Sequence, residues 1–381
     1  MKYRTFGRLS WKVSALGFGA MRLPVVGGNV ARIDEAEAIR MIRYAIDHGV
    51  NYIDTAYPYH GGTSEVLVGK ALRDGYREKI KLATKMPTWL IKSQSDMDKY
   101  FSEQLDRLQL EYVDFYLLQG LNAEGWNSLK KLAVMDWAER KISEGKIQHL
   151  GFSFHDEFPV FKEIIDSYSG WSFCQIQYNY LNVYNQAGTK GLKYAASKGL
   201  AVVVMEPLGG GRLAMKAPEK IQTLWQRSKV KKTPAEWALM WVWNHAEVSV
   251  VLSGMSSMQQ VVENVESAGR SGPNCLSEHD LQLIAKIRRK YRELSFVGCT
   301  NCKYCIPCPE GVDIPSILSF YNEYFDRDRN GEVRTRYLRS IAPKSRAERC
   351  GRCGKCEELC PQKLSVREVL IVAAMIFEQD S

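Results

Sequence analysis

Eight of the chain's ten cysteines fall in two short runs, and no other feature restricts the fold as tightly. The runs are Cys299, Cys302, Cys305 and Cys308-Pro309, then Cys350, Cys353, Cys356 and Cys360-Pro361. A loop that wraps an iron–sulfur cubane needs thiolates a few residues apart, and C-x2-C-x2-C with a more distant Cys-Pro supplies that spacing. Two such runs in tandem predict two [4Fe–4S] clusters. Zinc knuckles usually set their cysteine pairs further apart. Disulfides fit less well still, because cysteines this close in sequence bridge poorly and nothing in the chain points to an oxidising compartment.

With 381 residues, 45% of them hydrophobic, the chain has material for one large core and a smaller one. The expected division is a large domain over residues 1–270, a linker and connecting helix over 271–294, and a cluster-binding domain over 295–381. The basic start MKYRTFGRLSWKV lacks an apolar segment of signal-peptide length, and no apolar run approaches the ~18–20 residues of a membrane span. A cytoplasmic protein without a membrane span is therefore expected. The formal net charge is +9, but the basic residues are spread along the chain among acids, which argues against a nucleic-acid partner. One stretch between the cysteine runs is locally basic: Arg327, Arg329, Arg334, Arg336, Arg339, Lys344, Arg346 and Arg349 stand against Asp328, Glu332 and Glu348. Positive charge there suits a reduced, more anionic cluster, or an acidic electron carrier such as ferredoxin or flavodoxin.

Upstream, short apolar runs alternate with segments of helical period. The runs are Val13–Ala20, Asn51–Thr55, Ile80–Lys85, Val113–Gln119, Ile147–Ser153, Phe173–Tyr178, Ala201–Glu206 and Val248–Ser253. Their continuous apolar character fits parallel strands covered on both faces. Met97, Phe101, Leu105 and Leu108 mark one helix face, with Ser95 and Asp98 read as its capping pair. Thr233-Pro234-Ala235-Glu236 is the clearest helix start. Eight strand-and-helix units argue for an α/β fold of (β/α)8 TIM-barrel type, followed by a small ferredoxin-like domain, α+β or α-rich. Tyr3–Val13 reads as a hairpin around Gly7 that plugs the N-terminal mouth, Ser267–Ser277 as the linker, and Glu278–Leu294 as a helix.

Polar residues that close apolar barrel strands converge on one mouth and read as catalytic. Here strand two ends at Asp54, strand three at Lys85 and strand four at Gln119, and Tyr59 follows Asp54 closely enough to fold back over them. Together they suggest a proton donor: an ammonium beside a phenol favours the phenolate and lowers its pKa, and Asp54 would pair the lysine. The bland alternative is an Asp–Lys ion pair at a barrel rim.

The chain strongly resembles the aldo-keto reductase superfamily. The matching residues are Asp54-Thr55-Ala56 with Tyr59 and Ser64-Glu65, Ala83-Thr84-Lys85, Asp114-Phe115-Tyr116-Leu117-Leu118, Gly151-Phe152-Ser153 and Gln175-Ile176-Gln177-Tyr178-Asn179. With its cysteine tail it looks like the bacterial and archaeal members that carry a C-terminal ferredoxin-like domain. The resemblance implies hydride transfer between NADP(H), or alternatively NAD(H), and a carbonyl or alcohol. Tyr59 would be the acid, Lys85 its tuner, Asp54 the partner of the lysine, and Gln119 the group facing the carbonyl. Ser153 and Gln175 would hold the nicotinamide carboxamide, and Glu206, Leu208 and Gly210 would approach the pyrophosphate. Gly19, Met21, Ser253, Gly254, Gln260 and Asn264 complete the implied cofactor contacts. Two-cluster ferredoxins exchange their fourth cysteines, which implies Cys299, Cys302, Cys305 and Cys360 on one cluster and Cys350, Cys353, Cys356 and Cys308 on the other.

Two departures bear on function. Gln119 stands where the family usually has histidine; its amide donates a hydrogen bond but carries no proton across, and reduction of activated C=C bonds, as in enones, becomes an alternative. Gly254 and Gln260 fall where many members place a lysine and an arginine for the 2′-phosphate of NADP. Trp89 is a candidate substrate-pocket wall, with Trp126 a lesser one, and His60 and His155 are candidate stand-ins for the missing histidine. Cys174 reads as core and Cys275 as a bystander. A nicotinamide-binding redox sensor or regulatory subunit is the rival from another class, and purely structural clusters form a third reading.

Overall fold

The computed structural model describes residues 1–215, 217–228, 230–293, 297–326 and 331–378. Its first element is an antiparallel hairpin, β1 (Tyr3–Phe6) and β2 (Leu9–Ser14). The turn needs a glycine: Gly7 has φ +55°, and a Cβ there would stand 2.3 Å from the amide nitrogen of Ala201. Phe6 is fully buried among Tyr52, Phe115, Phe173 and Ala201. Tyr52, Phe173 and Ala201 each begin a barrel strand, so the hairpin seals the N-terminal end, as expected for Tyr3–Val13.

The eight apolar runs form β3 (Leu16–Gly19), β4 (Tyr52–Asp54), β5 (Lys81–Met86), β6 (Val113–Leu121), β7 (Ile147–Phe154), β8 (Phe173–Gln177), β9 (Ala201–Met205) and β10 (Val248–Gly254). They close in the order β10-β3-β4-β5-β6-β7-β8-β9, every pair parallel. The first run is divided: Val13 and Ser14 belong to the hairpin, and the barrel strand starts at Leu16.

Among the described residues ten helices lie along the barrel part of the sequence: α1 (Glu35–Asp47), α2 (Ser64–Ala71), α3 (Gln94–Leu108), α4 (Ala123–Lys131), α5 (Val134–Ser143), α6 (Phe158–Asp166), α7 (Gly188–Ser197), α8 (Glu219–Trp225), α9 (Pro234–Trp243) and α10 (Met258–Gly269). Two corrections concern α3. Its N-cap is Ser93 with Asp96 completing the capping box, not Ser95 with Asp98; Asp98 instead accepts from the Trp137 indole at 3.0 Å. The buried stripe is Met97, Phe101, Gln104 and Leu108, so a glutamine takes the place expected for Leu105.

The chain divides into two compact units, Met1–Pro207 with Glu236–Leu276, and Leu208–Ala235 with Ser277–Ser381. Residues 208–235, expected inside the barrel, thus group with the C-terminal residues, and the barrel unit runs on to Leu276 rather than ending at 270. The second unit adds α11 (Glu278–Glu293), α12 (Ile314–Asp326), α13 (Gly331–Ser340), α14 (Lys355–Glu358) and α15 (Val366–Phe377), with no strand among its described residues. Leu294, expected as the last residue of α11, lies outside the described residues. The core of this unit holds Val312, Ile317, Leu318, Tyr337, Leu370 and Phe377, with Cys299, Cys305, Cys308 and Cys350 packed against it and Cys356 inside it. Three residues of the basic stretch have partners within this unit, while Arg339, Lys344 and Arg349 are exposed. Arg334 donates to the Phe377 carbonyl at 3.1 Å, Arg346 to the Leu338 carbonyl at 3.0 Å, and Arg336 pairs with Glu323. Arg327 and Arg329 lie outside the described residues.

Candidate active site and cysteine clusters

Parallel closure brings the C-terminal ends of β4, β5, β6, β7 and β8 together, and with them Asp54, Lys85, Gln119, Ser153 and Gln175, all buried. Lys85 Nζ is the centre of the set. It donates to Asp54 Oδ1 at 2.5 Å, to the Thr55 carbonyl at 2.8 Å and to Tyr59 Oη at 3.2 Å. Gln175 Nε2 donates to the other Asp54 oxygen at 3.0 Å. An ammonium has three donors and no acceptor, so these three oxygens use it fully.

Burial pushes the Asp54 carboxyl above its ordinary value, and Lys85 and Gln175 pull it part of the way back. The Tyr59 phenol differs from expectation: it lies well above its ordinary value rather than below it. Burial is the main cause, followed by the carboxylates of Asp54 and Glu206. The Lys85 charge is already countered by Asp54 at 2.5 Å, which leaves it little net field to lower the phenol.

Behind Lys85 lies a buried network that sequence reasoning missed. Gln104 Nε2 donates to the Lys85 carbonyl at 2.9 Å and to Glu65 Oε1 at 2.7 Å, Thr84 Oγ1 donates to the same carboxylate oxygen at 2.6 Å, and Tyr116 Oη donates to Gln104 Oε1 at 2.7 Å. Burial pushes the Glu65 carboxyl up. The available signal was Gln104 itself, a polar residue at a spacing that belongs to the apolar stripe of α3.

Gln119 is 4% exposed, and its Oε1 is buried without a hydrogen-bond partner. Its backbone carbonyl is held by Thr88 Oγ1 at 2.6 Å, so the strand end is fixed while the side-chain oxygen is unpaired. Ser153 Oγ accepts from the Gly120 amide at 2.7 Å. Glu206, with φ +54°, accepts from Gln177 Nε2 at 2.8 Å. Gly19 ends β3 where a Cβ would stand 3.3 Å from the Ser253 carbonyl, and Met21 follows it, half-buried. Asn264 Nδ2 donates to Ser253 Oγ at 3.1 Å. Gln260 Oε1 accepts from the Ser256 amide at 2.9 Å, which ties the side chain into its own turn. Gly254 packs against a residue the sequence reading did not consider: a Cβ there would meet the stem carbons of Arg22 at 3.2 Å.

Leu208 and Gly210 belong to the second unit, and the close approach that Gly210 permits is to protein. With φ +72°, a Cβ on Gly210 would stand 2.0 Å from the Thr300 carbonyl oxygen. His60 is not a stand-in for the missing histidine. Its Nε2 accepts from the Leu23 amide at 3.1 Å and its Nδ1 faces the Val30 carbonyl at 2.7 Å, so both ring nitrogens are used by backbone. Trp126 is core, Trp89 is 47% exposed beyond β5, Cys174 is buried with its thiol pushed up by burial, and Cys275 is exposed.

In the second unit the cysteine thiols neighbour one another in two groups. Burial, with Cys302, Cys299 and Cys360 as neighbours, pushes the Cys305 thiol up to about 12. Burial, then Glu357, Cys350 and Cys308, pushes Cys356 up to about 11. Among the described residues no three His, Cys, Asp or Glu side chains converge closely enough for a single metal ion. A cubane is wider than one ion, and several thiols brought near one another from both cysteine runs suit it.

Comparison with known proteins gives two successive matches along the chain. Residues 15–287 match the aldo/keto reductase family, and residues 298–364 match a 4Fe-4S dicluster domain. An L-galactose dehydrogenase of Arabidopsis thaliana is 31% identical over 316 residues, which cover 78% of this chain and 97% of that protein. An aldo-keto reductase of Mycolicibacterium vanbaalenii is 29% identical over 257 residues, 64% of this chain and 82% of that one. The solved holo form of an aldo-keto reductase from Bacillus halodurans superposes with a TM-score of 0.63 at 29% identity, covering 75% of this chain and 96% of its own. Among the described residues no helix is long and apolar enough to cross a membrane.

Proposed function

The chain belongs to the aldo/keto reductase family, and from that premise we propose that its barrel interconverts a small carbonyl compound and the corresponding alcohol with NADP(H). The observation that carries the reading is Lys85 Nζ bonded to both Asp54 and Tyr59. When bound, the nicotinamide supplies or accepts the hydride. Tyr59 Oη delivers the proton to the substrate oxygen. Burial keeps the phenol protonated, which is the form that reduction requires. Lys85 positions Oη, Asp54 fixes Lys85, and Gln175 fixes Asp54. Ser153 and Gln175 are suited to the nicotinamide carboxamide, with Gly19, Met21, Glu206, Ser253 and Asn264 around the remainder of the cofactor. NADP(H) is preferred to NAD(H) on the family relationship, and Arg22, whose stem packs against Gly254, is the residue to test for a part in that preference.

Gln119 supports a second reading on the same barrel. The Nε2 of a glutamine can donate a hydrogen bond to a carbonyl oxygen but passes no proton across, and the buried, unpaired Oε1 leaves the side chain without a fixed partner on that side; such a site also serves reduction of an activated C=C bond. The name of the Arabidopsis relative makes sugar alcohol and carbonyl pairs the first substrates to test. The two cysteine runs of the second unit would hold two [4Fe–4S] clusters, which would supply one-electron transfer, in a cytoplasmic setting where cysteines stay reduced.

The test is Tyr59→Phe assayed anaerobically against carbonyl and enone panels. Turnover should fall by ~10²–10⁴, the range of a lost general acid, while NADPH binding measured by fluorescence is retained. Unchanged turnover sinks the assignment.

A further inference from the structure

Two residues of α3 reach the two segments that carry the proton donor and its lysine. Tyr59 lies in the connection from β4 to α2, and Lys85 lies near the end of β5. Their contact, Lys85 Nζ to Tyr59 Oη at 3.2 Å, is the longest of the three that the ammonium makes. Gln104 and Arg107 stand three positions apart on α3, so they share a face of that helix. Gln104 Nε2 donates to the Lys85 carbonyl at 2.9 Å. Arg107 Nη1 donates to the Tyr57 carbonyl at 3.3 Å, and its guanidinium lies over the Tyr57 ring at 4.1 Å. Glu103, which pairs with Arg107, accepts from the Tyr57 hydroxyl at 3.1 Å. One helix therefore holds the backbone of Lys85 and the backbone two residues before Tyr59.

Between these two side chains lies a carboxylate. Glu65, in the first turn of α2, is fully buried; its Oε1 accepts from Gln104 Nε2 at 2.7 Å and its Oε2 from Arg107 Nη1 at 3.4 Å. Helix α2 begins soon after Tyr59, and Ser64 ties its first residue to the Ala20 carbonyl at 3.0 Å. A buried carboxylate is costly unless it is paired and hydrogen-bonded, and here both of its α3 partners also hold a carbonyl of a segment that carries a reacting group. The oxygen of Gln104 is fixed as well, by the Tyr116 hydroxyl at 2.7 Å. A network that only satisfied buried polar groups could end within α2 and α3; this one ends on the Lys85 and Tyr57 carbonyls.

We propose that Gln104, Glu65 and Arg107 are positioning residues that set the distance between the Tyr59 acid and Lys85, and through it the rate of proton transfer. The proposal rests on the reading that Tyr59 protonates the substrate oxygen. Gln104 acts through the Lys85 backbone, Arg107 through the Tyr57 backbone, and Glu65 locks the two to each other. A misplacement of ~1 Å at a reacting group is enough to cost ~10²-fold in rate, so a remote brace of this kind bears directly on turnover.

The experiment measures kcat and KM of the full-length, cluster-loaded protein and follows the Asp54 carboxyl in a carbon-13 NMR titration. Gln104→Met removes both donors at similar volume and should lower kcat by ~10-fold or more, with KM for NADPH and for the carbonyl substrate within ~2-fold. Arg107→Lys keeps a cation beside Glu65 but loses the planar group over Tyr57, and should act in the same direction to a smaller extent. In a Lys85→Met background, Gln104→Met should change kcat by less than ~2-fold, because the side chain it positions is gone. Asp54, whose carboxyl Lys85 pulls down against burial, should titrate higher in Gln104→Met. Met97→Ala opens a cavity in the same buried stripe of α3 and should leave kcat and the Asp54 titration near wild type. An unchanged kcat in Gln104→Met, an equal loss in the Lys85→Met background, an equal loss in Met97→Ala, or an unmoved Asp54 titration overturns the proposal. The Asp54 titration needs no turnover, so it separates this result from failure of the Tyr59 assignment, which unchanged turnover in Tyr59→Phe would show.

Discussion

Replacing Gly210 by alanine tests whether the first cysteine loop is seated on the segment that follows β9. Two costs add. At φ +72° an L side chain is strained, which costs ~1–2 kcal/mol. The new methyl would also fall 2.0 Å from the Thr300 carbonyl oxygen, 2.5 Å from its carbon and 2.6 Å from its Cα. Those atoms are backbone, so no rotamer change relieves the clash, and overpacking of this kind costs ~1–3 kcal/mol. Gly211 is the internal control. It lies in the same segment at φ +101°, but a Cβ there meets nothing within 4 Å, so Gly211→Ala bears only the backbone term. Denaturant unfolding of the cluster-loaded chain should therefore show Gly210→Ala less stable than Gly211→Ala by ~1–3 kcal/mol. Thr300 sits between Cys299 and Cys302, so the displacement should also lower iron and sulfide per chain in Gly210→Ala alone. Equal stability and equal iron in the two variants would refute the contact and the seating argument built on it.

Other outcomes follow from the same geometry. Lys85→Met should lower turnover without unfolding the barrel, yet leave Asp54 as a buried carboxyl without its cation, so its titration, read by NMR, should move further up; an unmoved Asp54 would mean that Lys85 is not its main partner. Arg22→Ala should weaken NADPH binding more than NADH binding in a titration calorimeter, and equal losses would remove Arg22 from the 2′-phosphate. Cys360→Ala and Cys308→Ala should abolish different cluster signals in EPR, with Cys360→Ala pairing with Cys302→Ala; identical spectra for Cys360→Ala and Cys353→Ala would reverse the ligand sets. His60, His149 and His245 are all held below the ordinary imidazole value, chiefly by burial. The unfolded chain therefore takes up these protons before the folded one, and stability should be full above about pH 6.5 and decline as pH falls below it. A denaturation midpoint unchanged between about pH 8 and pH 5.5 would contradict that sign.

How much of this was legible beforehand depended on whether the evidence was local. The eight strands were readable because a strand covered on both faces must be apolar throughout, and that pattern is written in consecutive residues from Ile80 to Lys85 or Ala201 to Glu206. The cysteine runs were readable for the same reason, since a cubane constrains residues only a few positions apart. Asp54, Lys85 and Gln119 could be named because each closes an apolar run, although why they meet is a property of the closed barrel.

What only the tertiary structure decided lies in contacts between distant segments. Gln104 was hidden because its role is to hold Glu65 and the Lys85 carbonyl from another element. The direction of the Tyr59 shift required knowing that Asp54 counters Lys85 at 2.5 Å and that burial outweighs what remains. Arg22 came to Gly254 by barrel closure, which pairs β3 with β10. Gly210 was read as a glycine bared for a phosphate, and the structure brings the Thr300 carbonyl against it, because sequence shows that a backbone must be approached closely but not by what.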